Sequence, residues 1–318
     1  MSATVAIPVR NGGPRFERVL DAVRAQRFDG ELEILVCDSG STDGSLDTAR
    51  RHGARVIEIE PSQFSHGGTR NLLLREARGL HVALLTQDAE PASTDWLEHL
   101  LAAFELADDV GLVYGRYVPR PDAPPIVRHE LERWFASLTP GVERLAAGER
   151  DLPAVELMGR RGFFSDANAA VSRSAWERVP FREVEYAEDR ALAVDMLRAG
   201  FAKVYEPAAA VLHSHHYGSR DRFRRAFDES RGMFEVYGWR EPLSLRRAVL
   251  GVRGELSALR SEGAGFRTLL AASIDQSARL AGAVLGARAE RLPAPVRRRM
   301  SLESRASATA AGHDVHRR

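Results

Sequence analysis

Over the first 120 residues, short continuous apolar runs alternate with stretches in which apolar positions recur every three or four residues. "TVAIPV", "LEILVCD", "ARVIEIE", "HVALLTQD" and "VGLVYGRYV" are of the first kind. "RFERVLDAVRAQ", "DGSLDTARRHG", "GGTRNLLLREARG" and "TDWLEHLLAAFE" lie between them and are of the second. Short apolar runs separated by helical patterns read as strands of a parallel sheet, with helices covering both of its faces. The pattern predicts an α/β fold with four or five strands before residue 120.

Beyond the proline-rich break "RPDAPP" the spacing predicts a helix from Ile126 to Leu138 and an irregular region to Arg161. "GFFSDANAAVSRSAWERVPF" reads as a strand and a short helix. "EDRALAVDMLRAGF" is helical, with a 3.6-residue period in Ala191, Leu192, Val194, Leu197 and Phe201, and "KVYEPAAAVLHS" is a further strand. From Gly218 to about Arg299 the pattern is helical. The expected organisation is an α/β domain over 1–219, a helical basic region over 220–300, and a disordered tail over 301–318, "SLESRASATAAGHDVHRR".

Composition narrows the class. A chain of 318 residues, 44% hydrophobic and 28% charged, can bury a sizeable core. Cys37 is the only cysteine, which excludes an intramolecular disulfide and a cysteine-built zinc site and fits a reducing compartment. The start "MSATVAIPVRNGG" has no basic region before a long apolar run, and no stretch approaches 18 apolar residues, so neither export nor membrane spanning is expected. The net charge of +1 conceals an asymmetry: 1–219 carry 25 basic and 33 acidic side chains, net −8, and the remainder carries +9. The two parts are expected to meet different partners. Lys203 is the only lysine, from which no chemistry follows.

In open α/β sheets ligands bind beyond the carboxyl ends of the strands. Asp38 and Asp88 end two predicted strands there. Each reads either as a ligand contact or as the first loop residue or helix cap. Asp38 in "VCDSGSTDGSLDTA" would face the crevice, where a carboxylate accepts hydrogen bonds from a ribose hydroxyl or a pyrimidine imide. Neither GxGxxG nor GxxxxGK[ST] occurs, so a dinucleotide fold and a P-loop are unsupported. In "FSHGGTRN", two glycines at a helix start leave Arg70 either to hold a phosphate or base, or to serve as a surface arginine behind a cap, and His66 reads as structural. In "LHSHHY", His213 and His215 alternate with Ser214, so an extended segment turns both to one side and His216 to the other. That pair can ligate Mn²⁺ or face a leaving diphosphate.

Taken together, "VAIPVRNGG", "VCDSGSTDGS", "FSHGGTRN", "LLTQDAEP", "YAEDRALAVDMLRAGF" and "VLHSHHY" resemble, in order, family 2 inverting glycosyltransferases of the GT-A fold, in particular the bacterial rhamnosyltransferase-like branch. The resemblance spans roughly 3–219. It implies that Asp38 contacts the nucleoside, with Pro8, Arg10 and Asn11 beside it. It implies that Asp88 is the second aspartate of a DxD metal motif, preceded by Gln87, with Thr86 standing where the first aspartate usually is. It implies that Asp189 is the general base, supported by Glu188, and that Asp166 and Asn168 of "SDAN" lie on the acceptor side. A helix N-terminus favours an ionised base, although the same acids would also satisfy the helix dipole without catalysis.

The expected function is thus a metal-dependent inverting glycosyltransferase. It would use Mg²⁺ or Mn²⁺ held by Asp88 with His213 and His215, and move rhamnose or another deoxysugar from a dTDP- or UDP-linked donor to a glycan or lipid-linked glycan hydroxyl. A non-catalytic nucleotide-sugar or glycan-binding protein on the same fold is the rival. A nucleotidyltransferase would need an early basic phosphate-gripping loop that is not found. The arginines of "RDRFRRAFDESR" and "VRRRM" suit either peripheral contact with the inner face of the plasma membrane or a solvated helix packed on the catalytic domain. No nucleic-acid module accompanies them. The location expected is cytoplasmic.

Overall fold

The computed structural model describes residues 2–215, 217–242, 244–261, 263 and 265–303. The described residues form one sheet of β1 (Ser2–Val9), β2 (Glu31–Asp38), β3 (Arg55–Glu58), β4 (His81–Leu85), β5 (Glu90–Pro91), β6 (Val110–Val118), β7 (Gly141–Glu143), β8 (Asn168–Ser172) and β9 (Ala202–Leu212). The strand order is β3-β2-β1-β4-β8-β6-β9-β5, with β7 also on β9. β1, β2, β3 and β4 run parallel, as do β6 and β9, and β8 runs antiparallel between β4 and β6. The mostly parallel α/β sheet expected from the apolar runs is therefore present. Two strands were not visible in the pattern: β5, and β7 inside the supposedly irregular region. Each is two or three residues long, too short for a period to show.

The helices in chain order are α1 (Gly13–Arg24), α2 (Ser45–Arg51), α3 (His66–Glu76), α4 (Trp96–Ala102), α5 (Pro125–Ala136), α6 (Arg173–Arg178), α7 (Glu188–Arg198), α8 (Ser219–Tyr237), α9 (Leu245–Ser261), α10 (Phe266–Gly286) and α11 (Ala294–Met300). α1 shows why these segments fold as they do: Phe16, Val19, Leu20 and Val23 recur at helical spacing and all are buried. With Trp96, Leu97 and Leu100 of α4 they form the core on one sheet face. Leu73 and Leu74 of α3, Trp176 of α6, and Leu192, Ala193 and Met196 of α7 form the core on the other. β1 serves both, its Val5 and Ile7 entering the first core and its Ala6 the second.

The chain divides into two compact units, residues 1–122 with 131–214, and 123–130 with 215–318. In the second, α8 and α10 pack backbone to backbone at two glycines of α10. A Cβ added to Gly282 or Gly286 would lie 2.1 Å from the carbonyl of Phe223 or Phe227, so only glycine permits this approach. Residues 301–303, expected to begin a disordered tail, are held in this unit. Ser301 is fully buried, and the amides of Leu302 and Glu303 donate to Asp228 Oδ2 at 2.7 and 3.2 Å. The rest of the expected tail, 304–318, lies outside the described residues.

Candidate active site

Three loops leave the carboxyl ends of β1, β2 and β4 and are sewn together by hydrogen bonds. Asp38 closes β2 and is buried. Its Oδ1 accepts from the amides of Gly40 and Ser41, both at 2.9 Å, while its Oδ2 is buried with no partner. A buried, unpaired carboxylate oxygen costs stability, so its persistence points to a ligand donor. Asn11 lies in the loop after β1 with φ of 49°. Its amide donates to Ser41 Oγ at 2.9 Å, and its Oδ1 accepts from the Thr42 amide at 2.8 Å. Pro8 pairs in register with Cys37, beside Asp38, and the Arg10 amide donates to Gln87 Oε1 at 2.7 Å. Pro8, Arg10, Asn11, Asp38 and Gln87 thus come together, as the sequence motifs implied. The Cys37 thiol faces the core, and burial pushes its pKa up to about 11, so it is inert.

β4 ends at Leu85, so Asp88 sits in the following turn and not at a strand end. Thr86 Oγ1, where the resemblance leads one to expect a carboxylate, is buried with no partner. Asp88 Oδ1 lies 3.6 Å from His213 Nδ1. One ligand atom each from Asp88, His213 and His215 lie within 4.8 Å of one another, a separation that a single cation can bridge after small rotations. Carboxylate plus imidazole suits Mn²⁺ or another borderline cation, so the donor set fits the divalent ion the motifs implied. His216 lies outside the described residues.

Glu188 and Asp189 open α7. The residue before them, Ala187, has φ of 67°. With Asn11 it is one of two non-glycine residues at positive φ among those described, and both border this site. Backbone strain of this kind persists only where the surroundings enforce it. The Arg190 amide donates to Asp189 Oδ1 at 2.7 Å. Burial, and next the charge of Glu188, push the Asp189 carboxyl up to about 6, against the pull of Arg190 and Arg70.

Arg70 is where the structure departs most from expectation. It is neither a surface arginine nor open to a phosphate: it is 4% exposed and committed to carboxylates. Its Nη2 donates to Asp166 Oδ1 at 2.9 Å, its Nε pairs with Asp166 Oδ2, and its Nη1 lies 3.3 Å from Glu188 Oε1 and donates to the His66 carbonyl at 3.1 Å. Asp166, expected on the acceptor side, is likewise buried, and burial pushes its carboxyl up despite Arg70. Asn168 is wholly buried as well. Its Nδ2 donates to the carbonyls of Ala209 at 2.8 Å and Arg116 at 3.2 Å, and its Oδ1 accepts from Trp96 Nε1 at 2.8 Å. Both residues of "SDAN" are therefore internal ties, because the segment enters the sheet as β8.

Three residues of the site left no readable mark in the sequence. Buried Arg120 donates from Nη2 to the Asp88 carbonyl and from Nη1 to Glu90 Oε2 at 3.3 Å, fixing the turn that carries Asp88. Tyr117 sets its ring edge-on to His213, centroids 4.9 Å apart, and donates to Ser165 Oγ. Lys203 donates to the carbonyls of Arg161 and Phe163, both at 2.7 Å, and so clips the segment leading to Asp166. The rarity of lysine was the only hint, and it indicated no partner.

The Glycosyl transferase family 2 profile matches residues 4–179. The O-antigen chain rhamnosyltransferase RfbN of Salmonella typhimurium is 33% identical over 233 residues, 72% of this chain and 71% of that protein. The O-antigen chain rhamnosyltransferase WbaN of Salmonella anatum is 33% identical over 232 residues, 71% of this chain and 70% of that protein. Among solved structures, the mannosyltransferase PcManGT from Pyrobaculum calidifontis, in complex with GDP-Man and Mn²⁺, superposes with a TM-score of 0.53 at 20% identity, covering 99% of this chain and 81% of that one. S. aureus TarS 1-349 does so with 0.52 at 14% identity, covering 92% and 91%. Those structural likenesses carry the GT-A fold. Motif order, profile and relatives together make this chain a member of glycosyl transferase family 2.

Proposed function

We propose that the protein transfers rhamnose or another deoxyhexose from a dTDP- or UDP-linked donor to a hydroxyl of a glycan, free or lipid-linked, with inversion at the anomeric carbon. The observation that carries this reading is the pairing of an unpartnered buried Asp38 oxygen at the end of β2 with the clustered ligand atoms of Asp88, His213 and His215, from the segments that follow β4 and β9. The similarity to two O-antigen rhamnosyltransferases supports the deoxyhexose and the glycan acceptor, and with them a role in cell-envelope polysaccharide synthesis.

In this reading Asp38 Oδ2 accepts from the base or ribose of the donor, and the loop carrying Arg10 and Asn11 closes over the nucleoside. Asp88, His213 and His215 would hold a divalent cation, which offsets the charge that accumulates on the departing diphosphate. Arg120 keeps the Asp88 turn in place. Asp189 takes the proton from the acceptor hydroxyl as that oxygen bonds to the anomeric carbon and the bond from that carbon to the diphosphate oxygen breaks. One displacement of this kind inverts the centre and leaves no sugar on the enzyme. Glu188, paired with Arg70, keeps a charge beside Asp189 that raises its basicity.

Calorimetric titration of dTDP and UDP, with and without Mn²⁺, tests the donor half of the proposal. Tight binding is expected only with the ion, and Asp88→Asn should weaken it by about 10-fold or more. Equal affinity in the two conditions, or an Asp88→Asn protein indistinguishable from wild type, would sink the cation assignment. Turnover of the two nucleotide-linked rhamnoses then separates the donors.

A further inference from the structure

The outer sides of α9 and α10 carry a pattern that the transfer reaction does not use. On α10, Ala272, Gln276, Gly282 and Gly286 are buried, yet Phe266, Leu270 and Ile274, four residues apart on another side, are 79%, 51% and 52% exposed. A helix apolar on both sides is suited to being covered on both. Exposed large apolar residues elsewhere, such as Leu80 and Leu106, do not repeat at such spacing. On α9, Leu259 is buried while Arg246, Val249, Arg253 and Arg260 are exposed, and their three-, four- and seven-residue steps put them in one stripe. The short connection over 262–265 brings Arg260 close in the chain to Phe266 and the exposed Arg267.

Of the arginines of α8, which the sequence marked as a basic face, three are spent within their own unit. Arg222 pairs with Glu130 at 2.7 Å, Arg224 with Asp221 at 2.9 Å and Arg231 with Asp228 at 3.5 Å. The exposed arginines of the C-terminal unit include the stripe on α9 and Arg267 beyond it, together with Arg220 on α8 and Arg298 and Arg299 on α11.

We propose that the α9–α10 hairpin docks on the surface of an anionic lipid bilayer. Phe266, Leu270 and Ile274 enter the boundary between headgroups and acyl chains, and Arg246, Arg253 and Arg260 meet the lipid phosphates. Charge complementarity selects this occupant over a second copy of the chain, since a two-fold pairing of this face would set the arginine stripe near its own image. No helix among the described residues is long and apolar enough to cross a membrane, so the contact is peripheral. The docking surface is independent of the donor chemistry proposed above.

Flotation of the full chain with phosphatidylcholine vesicles, with and without phosphatidylglycerol, tests it. Binding is expected only with the anionic lipid, and it should collapse at high salt, where the Debye length falls to ~3 Å. The triple variant Arg246→Gln, Arg253→Gln, Arg260→Gln should lose on the order of 100-fold in partitioning, roughly five-fold per arginine. Phe266→Ser alone, and together with Leu270→Ser and Ile274→Ser, should also release the protein, with melting temperature and Mn²⁺-dependent nucleotide binding kept as controls. Equal flotation on neutral and anionic vesicles, or retention by both triple variants, would overturn the proposal. So would a concentration-dependent dimer that the serine variant abolishes while vesicles remain unbound.

Discussion

At the scale of the residue, the environment of Asp189 and its proposed role make opposing demands. A general base must be ionised, yet burial and Glu188 hold its proton up to about pH 6. The compromise is a carboxylate that is ionised at neutral pH and more basic than a free one. Single-turnover transfer should therefore fall about tenfold per pH unit below 6 and level off above it. Asp189→Asn should abolish that limb, cut the rate by ~10²- to 10⁴-fold and leave donor affinity unchanged. Stability carries the opposite sign. The folded pKa lies above the unfolded value of 3.8, so the carboxylate destabilises the fold increasingly as pH rises from about 4 to 6, and fully above that. Asp189→Asn should then melt higher than wild type at pH 8 and no higher at pH 4, which thermal melts at the two pH values would decide. Arg70 is its neighbour in charge. Arg70→Met strands Asp166 and Glu188 in the interior, and urea unfolding should register a loss of about 3–5 kcal/mol. Whatever protein still folds should show the Asp189 limb moved to higher pH, because Arg70 lowers that pKa.

At the scale of the element, β8 is the strand that joins the two parallel parts of the sheet, and Asn168 at its start ties it to β6, β9 and α4 at once. The register of β6 on β9 shifts between Gly115 and Tyr117. At the shift a Cβ on Gly115 would meet the Ala209 carbonyl at 1.7 Å and Asn168 Nδ2 at 2.4 Å. The bulge and the asparagine therefore form one device, which aims Tyr117 at His213. Asn168→Ala leaves Trp96 Nε1 and the Ala209 carbonyl unpaired, and denaturant unfolding should show a loss of about 1–3 kcal/mol per stranded group. Nucleotide affinity should change little, as the side chain faces no ligand. An unchanged unfolding midpoint would return Asn168 to the acceptor side.

At the scale of the whole molecule, Asp228 holds the last described residues, 301–303, against α8. It is fully buried on α8, burial raises its pKa, and two of its partners are the amides of Leu302 and Glu303. A chain ending at Met300 loses both donors, whereas one ending at Glu303 keeps them. The shorter chain should be less stable by about 1–3 kcal/mol, the cost of a buried acceptor left unpaired, and thermal melts of the two truncations would show it. Equal melting temperatures would mean that water replaces the two amides.

The sequence by itself determined the class of the sheet, the helices on its two faces, the motif order and which loops leave the carboxyl ends of its strands. These follow from local rules: a strand buried on both faces must be apolar throughout, and a loop leaving the carboxyl end of such a strand must face the crevice. Asp38 was legible for that reason, whereas Asn11 and Gln87 came only with the family resemblance. Only the tertiary structure decided which polar groups are free and which are spent. Arg70 and Asp166 are 96 residues apart in the chain, and Asn168 is 72 from Trp96. Such pairs depend on the antiparallel insertion of β8, which no local period encodes. The same holds for the arginines of the C-terminal unit. Composition counts them all alike, but the packing of α8 neutralises one set and leaves the stripe on α9 outside, because an ion pair forms only where the fold brings an acid within reach.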